Sequence, residues 1–170
     1  MKRIFLFCLV LFTVSGNLFA KKFNCKKANL KVELPSGWKL WGEYPDQVRI
    51  ISPKDEGIVI LASYGDVKKD STDDEEFQRL EQKVKEVFNV SLSNKSSIGV
   101  KTQSKEKING MTAYKITGYL YQNSGYEDMA AIGFDTGKGM GAFIVSIYQQ
   151  DTAKFLKDIN KIIKSVKKMK

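Results

Sequence analysis

An α+β domain, with a central antiparallel β-sheet flanked by helices in the order β4-α-β4-α after a signal peptide, is the fold the sequence predicts. Three observations predict it. Apolar residues recur at every second position in eight short stretches, they recur at helical spacing in two longer ones, and Gly, Pro and Asn punctuate the chain between these stretches.

The chain opens with Lys2 and Arg3, followed by an eleven-residue apolar run at 4–14, a polar step at Ser15, Gly16 and Asn17, and then Leu18, Phe19 and Ala20. This order is that of a secretory leader, cut after Ala20. The run is short of the roughly 20 apolar residues a bilayer-spanning helix needs. Lipoprotein anchoring is not expected, because Cys8 lies inside the run and Cys25 follows the charged and bulky Lys22, Phe23 and Asn24. The expected organisation is a signal peptide at 1–20, a flexible basic arm at 21–28 and one domain at 29–170, exported to the periplasm or beyond the cell. After cleavage Cys25 is the sole thiol, which leaves an unpaired residue on the arm or an intermolecular disulfide as its two readings.

Order begins near Asn29. Leu30, Val32 and Leu34 alternate with Lys31 and Glu33 as a strand with one wet face, which Pro35, Ser36 and Gly37 end as a turn. Trp38, Leu40 and Trp41 form a short aromatic strand, and 48–52 and 58–64 form a pair across the loop at 53–57. The period then becomes helical over 71–92, with Phe77, Leu80, Val84, Val87 and Phe88 on one side. Thr72 and Glu75 have capping-box spacing, and Asp73 to Glu76 are the acids that a helix N-terminus favours. Asn109 and Gly110 lie between alternating runs at 100–108 and 111–122, the signature of a type I′ hairpin. Strands at 126–134 and 140–149 complete an antiparallel meander. A helix at 151–167, capped by Asp151, gathers Phe155, Ile159, Ile162, Ile163 and Val166 on one side.

The composition excludes much chemistry. The sequence has no histidine, which removes Ser-His-Asp and Cys-His nucleophiles, the usual neutral-pH base and imidazole metal sites. Two-carboxylate hydrolysis needs an acid and a partner about 5 to 9 Å apart. Its candidates, Glu43, Asp46, Glu127 and Asp128, are not paired by spacing, and adjacent strand residues point to opposite faces. The acids at 66–76 lack a calcium-loop frame, and Gly137, Gly139 and Gly141 precede a strand rather than open a helix. No catalytic, metal or cofactor residue is therefore assigned. Of 28 basic residues, loss of Lys2 and Arg3 leaves 26 against 19 acidic ones, a formal +7. Outside the cytoplasm the anions such a domain meets are head groups, wall polymers and acidic proteins rather than nucleic acid.

Two surfaces remain as candidates for binding. Lys154, Lys157, Lys161, Lys164 and Lys168 form a stripe opposite the apolar side of the last helix, as a solvated face or as an anion-binding one. In 111–122, Tyr119 and Tyr121 share a face with Lys115 and Thr117, opposite Tyr114, Ile116 and Leu120; left uncovered, that face is a partner site.

The run Leu34, Pro35, Ser36, Gly37, Trp38, a strand ending in Pro-x-Gly-Trp near the mature N-terminus, resembles the PsbP-like superfamily, as does the layout of strand pair, helix, Asn-Gly hairpin and terminal helix. The resemblance implies a central antiparallel sheet flanked by helices and an accessory or binding role without a catalytic site. It makes Pro35, Gly37 and Trp38 structural and carries over no functional residue. The expected function is a non-enzymatic accessory protein of the bacterial envelope that binds another envelope protein. The alternative is a peripheral protein that binds anionic lipid through the lysine stripe, and a carboxylate-based hydrolase is a distant third.

Overall fold

A computed structural model of the protein describes residues 21–66, 68, 70–88, 97–122, 125–147 and 153–170. The expected leader at 1–20 and the expected Asp151 cap fall on residues outside those described. The described elements run β1 (Lys21–Cys25), β2 (Leu30–Leu34), β3 (Lys39–Glu43), β4 (Gln47–Ile51), β5 (Gly57–Ser63), α1 (Asp73–Val87), β6 (Ser97–Ile108), β7 (Met111–Gln122), β8 (Gly125–Asp135), β9 (Met140–Ile147), α2 (Ala153–Ser165) and β10 (Lys167–Lys168).

This corrects the expected fold class. Among the described residues the molecule is mostly β, with ten strands in two antiparallel sheets and two helices, rather than a β4-α-β4-α arrangement of a central sheet flanked by helices. Residues 21–25, expected as a flexible arm, pair antiparallel with β2 from Lys21 opposite Leu34 to Cys25 opposite Leu30. Lysine content masked a period of two, in which Phe23 and Cys25 share a face and Cys25 is buried. At the other end the helix stops at Ser165, whose hydroxyl accepts from the Glu33 amide at 2.9 Å, and the chain continues as β10 beside β2. β1, β2 and β10 thus form a small sheet of their own.

The other strands form a seven-stranded sheet in the order β3-β4-β5-β9-β8-β7-β6. Its centre is covered on both faces, which is why β5 (GIVILAS) and β9 (MGAFIVSI) read as unbroken apolar runs. Ile58, Ile60 and Ala62 of β5 pack with Phe77, Leu80, Val84 and Val87 of α1. Val59 and Leu61 point the other way, into a core with Leu30, Val32 and Leu34 of β2 and Phe155, Ile159, Ile162 and Val166 of α2. The large sheet is the middle layer, with α1 on one face and the small sheet and α2 on the other.

The local signals hold where they are local. Thr72 and Glu75 form both halves of the capping box. Arg49 donates to the Val87 carbonyl at 2.8 Å and satisfies an acceptor at the end of α1. Asn109 and Gly110 have φ of 50° and 79°, the pair of positive values a type I′ turn requires.

Candidate interaction surface

The surface is built from the long hairpin of β6 and β7 and from β8. Residues Ile116 and Leu120 of β7 are fully buried on the α1 face. Ala113, two strand periods before Thr117, belongs to the core under α2, so Thr117, Tyr119 and Tyr121 rise from the face that carries α2. Asn109 fixes the near end of the hairpin, its side-chain amide donating to the Lys164 and Val166 carbonyls at 3.0 and 2.7 Å. Tyr119 and Tyr121 lie toward the far end, beyond the part that α2 covers.

There the tyrosines meet across the ladder. Tyr121 stands opposite Tyr126 and Tyr119 opposite Asp128. The Tyr119 and Tyr126 rings are edge to face with centroids 5.3 Å apart, and the Tyr121 ring is 6.3 Å from that of Tyr119. The Lys101 ammonium lies 5.9 Å from the Tyr119 ring, a cation against an aromatic face. The Thr102 and Thr117 hydroxyls share a hydrogen bond of 2.5 Å in the next row. Tyr121 is 42% and Tyr126 56% exposed, so this is an outward aromatic patch on the sheet.

Helix α2 lies on the same face of the large sheet. With about 100° between successive helical residues, Ser165, which touches β2, lies on one flank of α2, and Leu156 and Ile163 lie on the other. Leu156 is 49% exposed there. Lys157, Lys161 and Lys164 occupy the exposed crest of the helix. The expected stripe is shorter than its five members: the Lys154 side chain lies outside the described residues, and Lys168 sits on β10, exposed, because the helix has ended. Lys161 spends part of its charge on Asp158, 3.5 Å away. Tyrosines and lysines therefore share one face of the molecule, an arrangement that residue spacing alone does not show. Tyr126 joins them through the β7–β8 register, in which Gln122 stands opposite Gly125 and Tyr121 opposite Tyr126.

The other candidates take structural roles. Gly37 has φ of +88° in the turn closed by the Trp38 amide and the Pro35 carbonyl at 3.5 Å. Trp38 is 5% exposed and stacks on Phe155 of α2 at 5.7 Å and 22°. The candidate carboxylates fall at two places, Glu43 and Asp46 at the turn between β3 and β4 and Glu127 and Asp128 on β8. Asp46 pairs with Lys83 at 2.8 Å, and that hydrogen bond holds its carboxyl below the usual range. Glu127 accepts from Ser146, and Asp128 stands on the opposite face of the sheet. Glu75 caps α1 and Glu76 pairs with Arg79 at 2.6 Å. Cys25 is buried, donates to the Leu61 carbonyl at 3.8 Å and has its thiol pushed up by desolvation, so neither a loose arm nor an accessible disulfide partner describes it. No helix among the described residues is long and apolar enough to cross a membrane.

No protein-family model matches the sequence, and no curated protein is similar to it in sequence. Solved structures are similar in fold. The solution structure of cyanobacterial PsbP (CyanoP) from Synechocystis superposes with a TM-score of 0.64 at 12% identity, covering 91% of this chain and 95% of that one. A crystal structure from Bacteroides thetaiotaomicron gives 0.55 at 16% identity over 89% of this chain and 49% of that one. LpqN, described as involved in cell envelope biogenesis of Mycobacterium tuberculosis, gives 0.52 at 13% identity over 83% of each chain. The class is a sheet-centred antiparallel domain with one helix on each face of its larger sheet. Within that class the fold is similar to that of PsbP, in line with the resemblance carried by the Pro-x-Gly-Trp turn. Identities this low speak for the fold and transfer no residue.

Proposed function

We propose that the protein is an exported, non-enzymatic accessory protein of the bacterial envelope that acts by binding another envelope protein on the α2 side of its large sheet. The observation that carries the reading is the aromatic patch of Tyr119, Tyr121 and Tyr126, on the same face of the large sheet as the lysine crest of α2. Tyrosine brings large contact area and a hydroxyl at small entropic cost, and such rings are enriched among residues that dominate binding energy. Lys157, Lys161, Lys164 and Lys101 add long-range attraction for an acidic partner, which shortens as salt reduces the Debye length to about 8 Å. The scattered carboxylates support an interaction role over hydrolysis, and LpqN offers a precedent for this fold in an envelope setting.

A photo-crosslinking residue at Tyr121, in protein exported from its full sequence, tests the reading. The expected result is a discrete protein adduct in the envelope fraction that disappears when Tyr119 and Tyr126 become Ala and weakens when Lys157, Lys161 and Lys164 become Glu. Crosslinks to lipid alone, with flotation on anionic vesicles that the charge reversal abolishes, would replace this reading by peripheral lipid binding.

A further inference from the structure

We propose that the cleft between the start of α1 and the large sheet binds a small zwitterion, whose ammonium meets Glu76 and whose carboxylate or phosphate meets Lys68. The cleft lies on the α1 face and does not depend on the function proposed above. It holds about 350 Å³, inside the range of roughly 300 to 1,000 Å³ that small-molecule sites occupy. Its floor is the sheet. Tyr114 of β7 and Met140 of β9 belong to the core beneath α1. Asp135 pairs with Met140 and Lys105 with Tyr114, so these side chains rise from the same face. Glu76 closes the cleft from α1, and Lys68, exposed, stands at its mouth.

The chemistry of the ligand follows from an unfinished set of hydrogen bonds. The Glu76 side chain is 3% exposed, yet both of its donors, the Ser71 hydroxyl at 2.7 Å and the Arg79 guanidinium at 2.6 Å, reach the same oxygen, Oε1. Oε2 is buried without a partner. The Tyr64 hydroxyl, its pKa pushed up by burial and by the Glu76 charge, makes no bond to it and is itself buried without a partner. A buried carboxylate oxygen lacking a donor is costly, and an ammonium brings three donors with the opposite charge. Asp135, half-buried with Oδ1 on the Gly137 amide at 2.8 Å, adds a second negative group to the floor. At the mouth the sign reverses. Lys68 has no ion-pair partner among the described residues, while Lys105 is held by Asp73 at 2.6 Å. An anion alone would meet the inner carboxylates and a simple cation the outer lysines; a molecule with its ammonium inward and its anionic group outward satisfies both ends.

Titration calorimetry and amide NMR on protein exported from the full sequence test this, with β-alanine and phosphoethanolamine as probes and propylamine and propionate as single-ended controls. At least one zwitterion is expected to bind about threefold or more tightly than propylamine, with shifts centred on Glu76, Asp135 and Met140. Glu76→Gln weakens every ammonium-bearing probe about tenfold or more. Lys68→Ala, at an exposed site, removes the advantage of the zwitterion and leaves propylamine bound as before, a result that decides the matter even where Glu76→Gln fails to fold by circular dichroism. A free small molecule and a lipid headgroup share this chemistry. Flotation on phosphatidylethanolamine vesicles that Lys68→Ala weakens assigns the headgroup; binding of the soluble probes without flotation assigns the free molecule. Absence of binding by both zwitterions, shifts centred elsewhere, propionate binding as tightly as β-alanine, a folded Glu76→Gln variant that binds like the wild type, or a zwitterion advantage that survives Lys68→Ala would each overturn the proposal.

Discussion

Trp38 joins the Pro-x-Gly-Trp turn to the last helix, and its replacement should reveal how much of the fold depends on that joint. The side chain is 5% exposed and stacked on Phe155, whose ring also approaches Gly57 so closely that a Cβ there would sit 2.6 Å from it. Neighbours this constrained cannot collapse into a vacated space, so Trp38→Ala combines lost burial with an unfilled cavity and should cost about 4 kcal/mol. Trp38→Phe keeps an aromatic face toward Phe155. It also gives up no hydrogen bond, because the indole nitrogen is buried without a partner, and should cost only about 1 to 2 kcal/mol. For a domain of this size each kcal/mol moves the midpoint by about 2 to 4 °C, so the alanine variant should melt roughly 8 to 16 °C below the wild type. Urea unfolding followed by far-ultraviolet circular dichroism, with unchanged denaturant slopes, measures both variants. A cycle with Phe155→Leu should return a coupling of about 0.5 to 1.5 kcal/mol. An alanine variant within about 1 kcal/mol of the wild type, or a phenylalanine variant as costly as alanine, would refute the packing argument.

Three further outcomes follow from the same structure. Asp46→Asn should be less stable than the wild type at neutral pH, and the difference should vanish on acidification. The folded carboxyl is depressed by Lys83, so its contribution is present above the unfolded value near pH ~4 and is lost as pH falls through the folded one; stability against pH for both proteins checks this. Gly118→Ala should destabilise far more than Gly110→Ala. A Cβ at Gly118 would lie 2.0 Å from the Gly99 carbonyl oxygen, across the backbone of the bulged hairpin, whereas one at Gly110 meets nothing within 4 Å and incurs only the strain of φ +79°, about 1 kcal/mol. Parallel melts compare them. Cys25 should react with a thiol reagent only on unfolding, with the labelling rate following urea-induced opening, because burial both blocks access and disfavours the thiolate.

How much of this was legible depended on how far apart the interacting residues lie in the chain. The Thr72 and Glu75 cap, the Asn109-Gly110 turn and the apolar face of α1 involve partners within a few residues of one another, and periodicity reports them directly. The alternation in β7 likewise separated Ile116 and Leu120 from Tyr119 and Tyr121 before any contact was known. Which strands join which sheet was not legible. β2 has the same alternating pattern as the strands of the large sheet, yet it pairs with β1 and with β10, more than 130 residues away along the chain.

By itself, then, the sequence determined the lengths of most elements, their turns and caps, which side chains share a face, and the absence of imidazole chemistry. Only the tertiary structure decided that residues 21–25 are a strand, that the helix yields to β10, and that the tyrosines and the α2 lysines stand on one side. The reason is physical. A period of two or 3.6 records which way a side chain points, but strand pairing and the covering of a face are contacts between distant segments, and no local pattern encodes the partner.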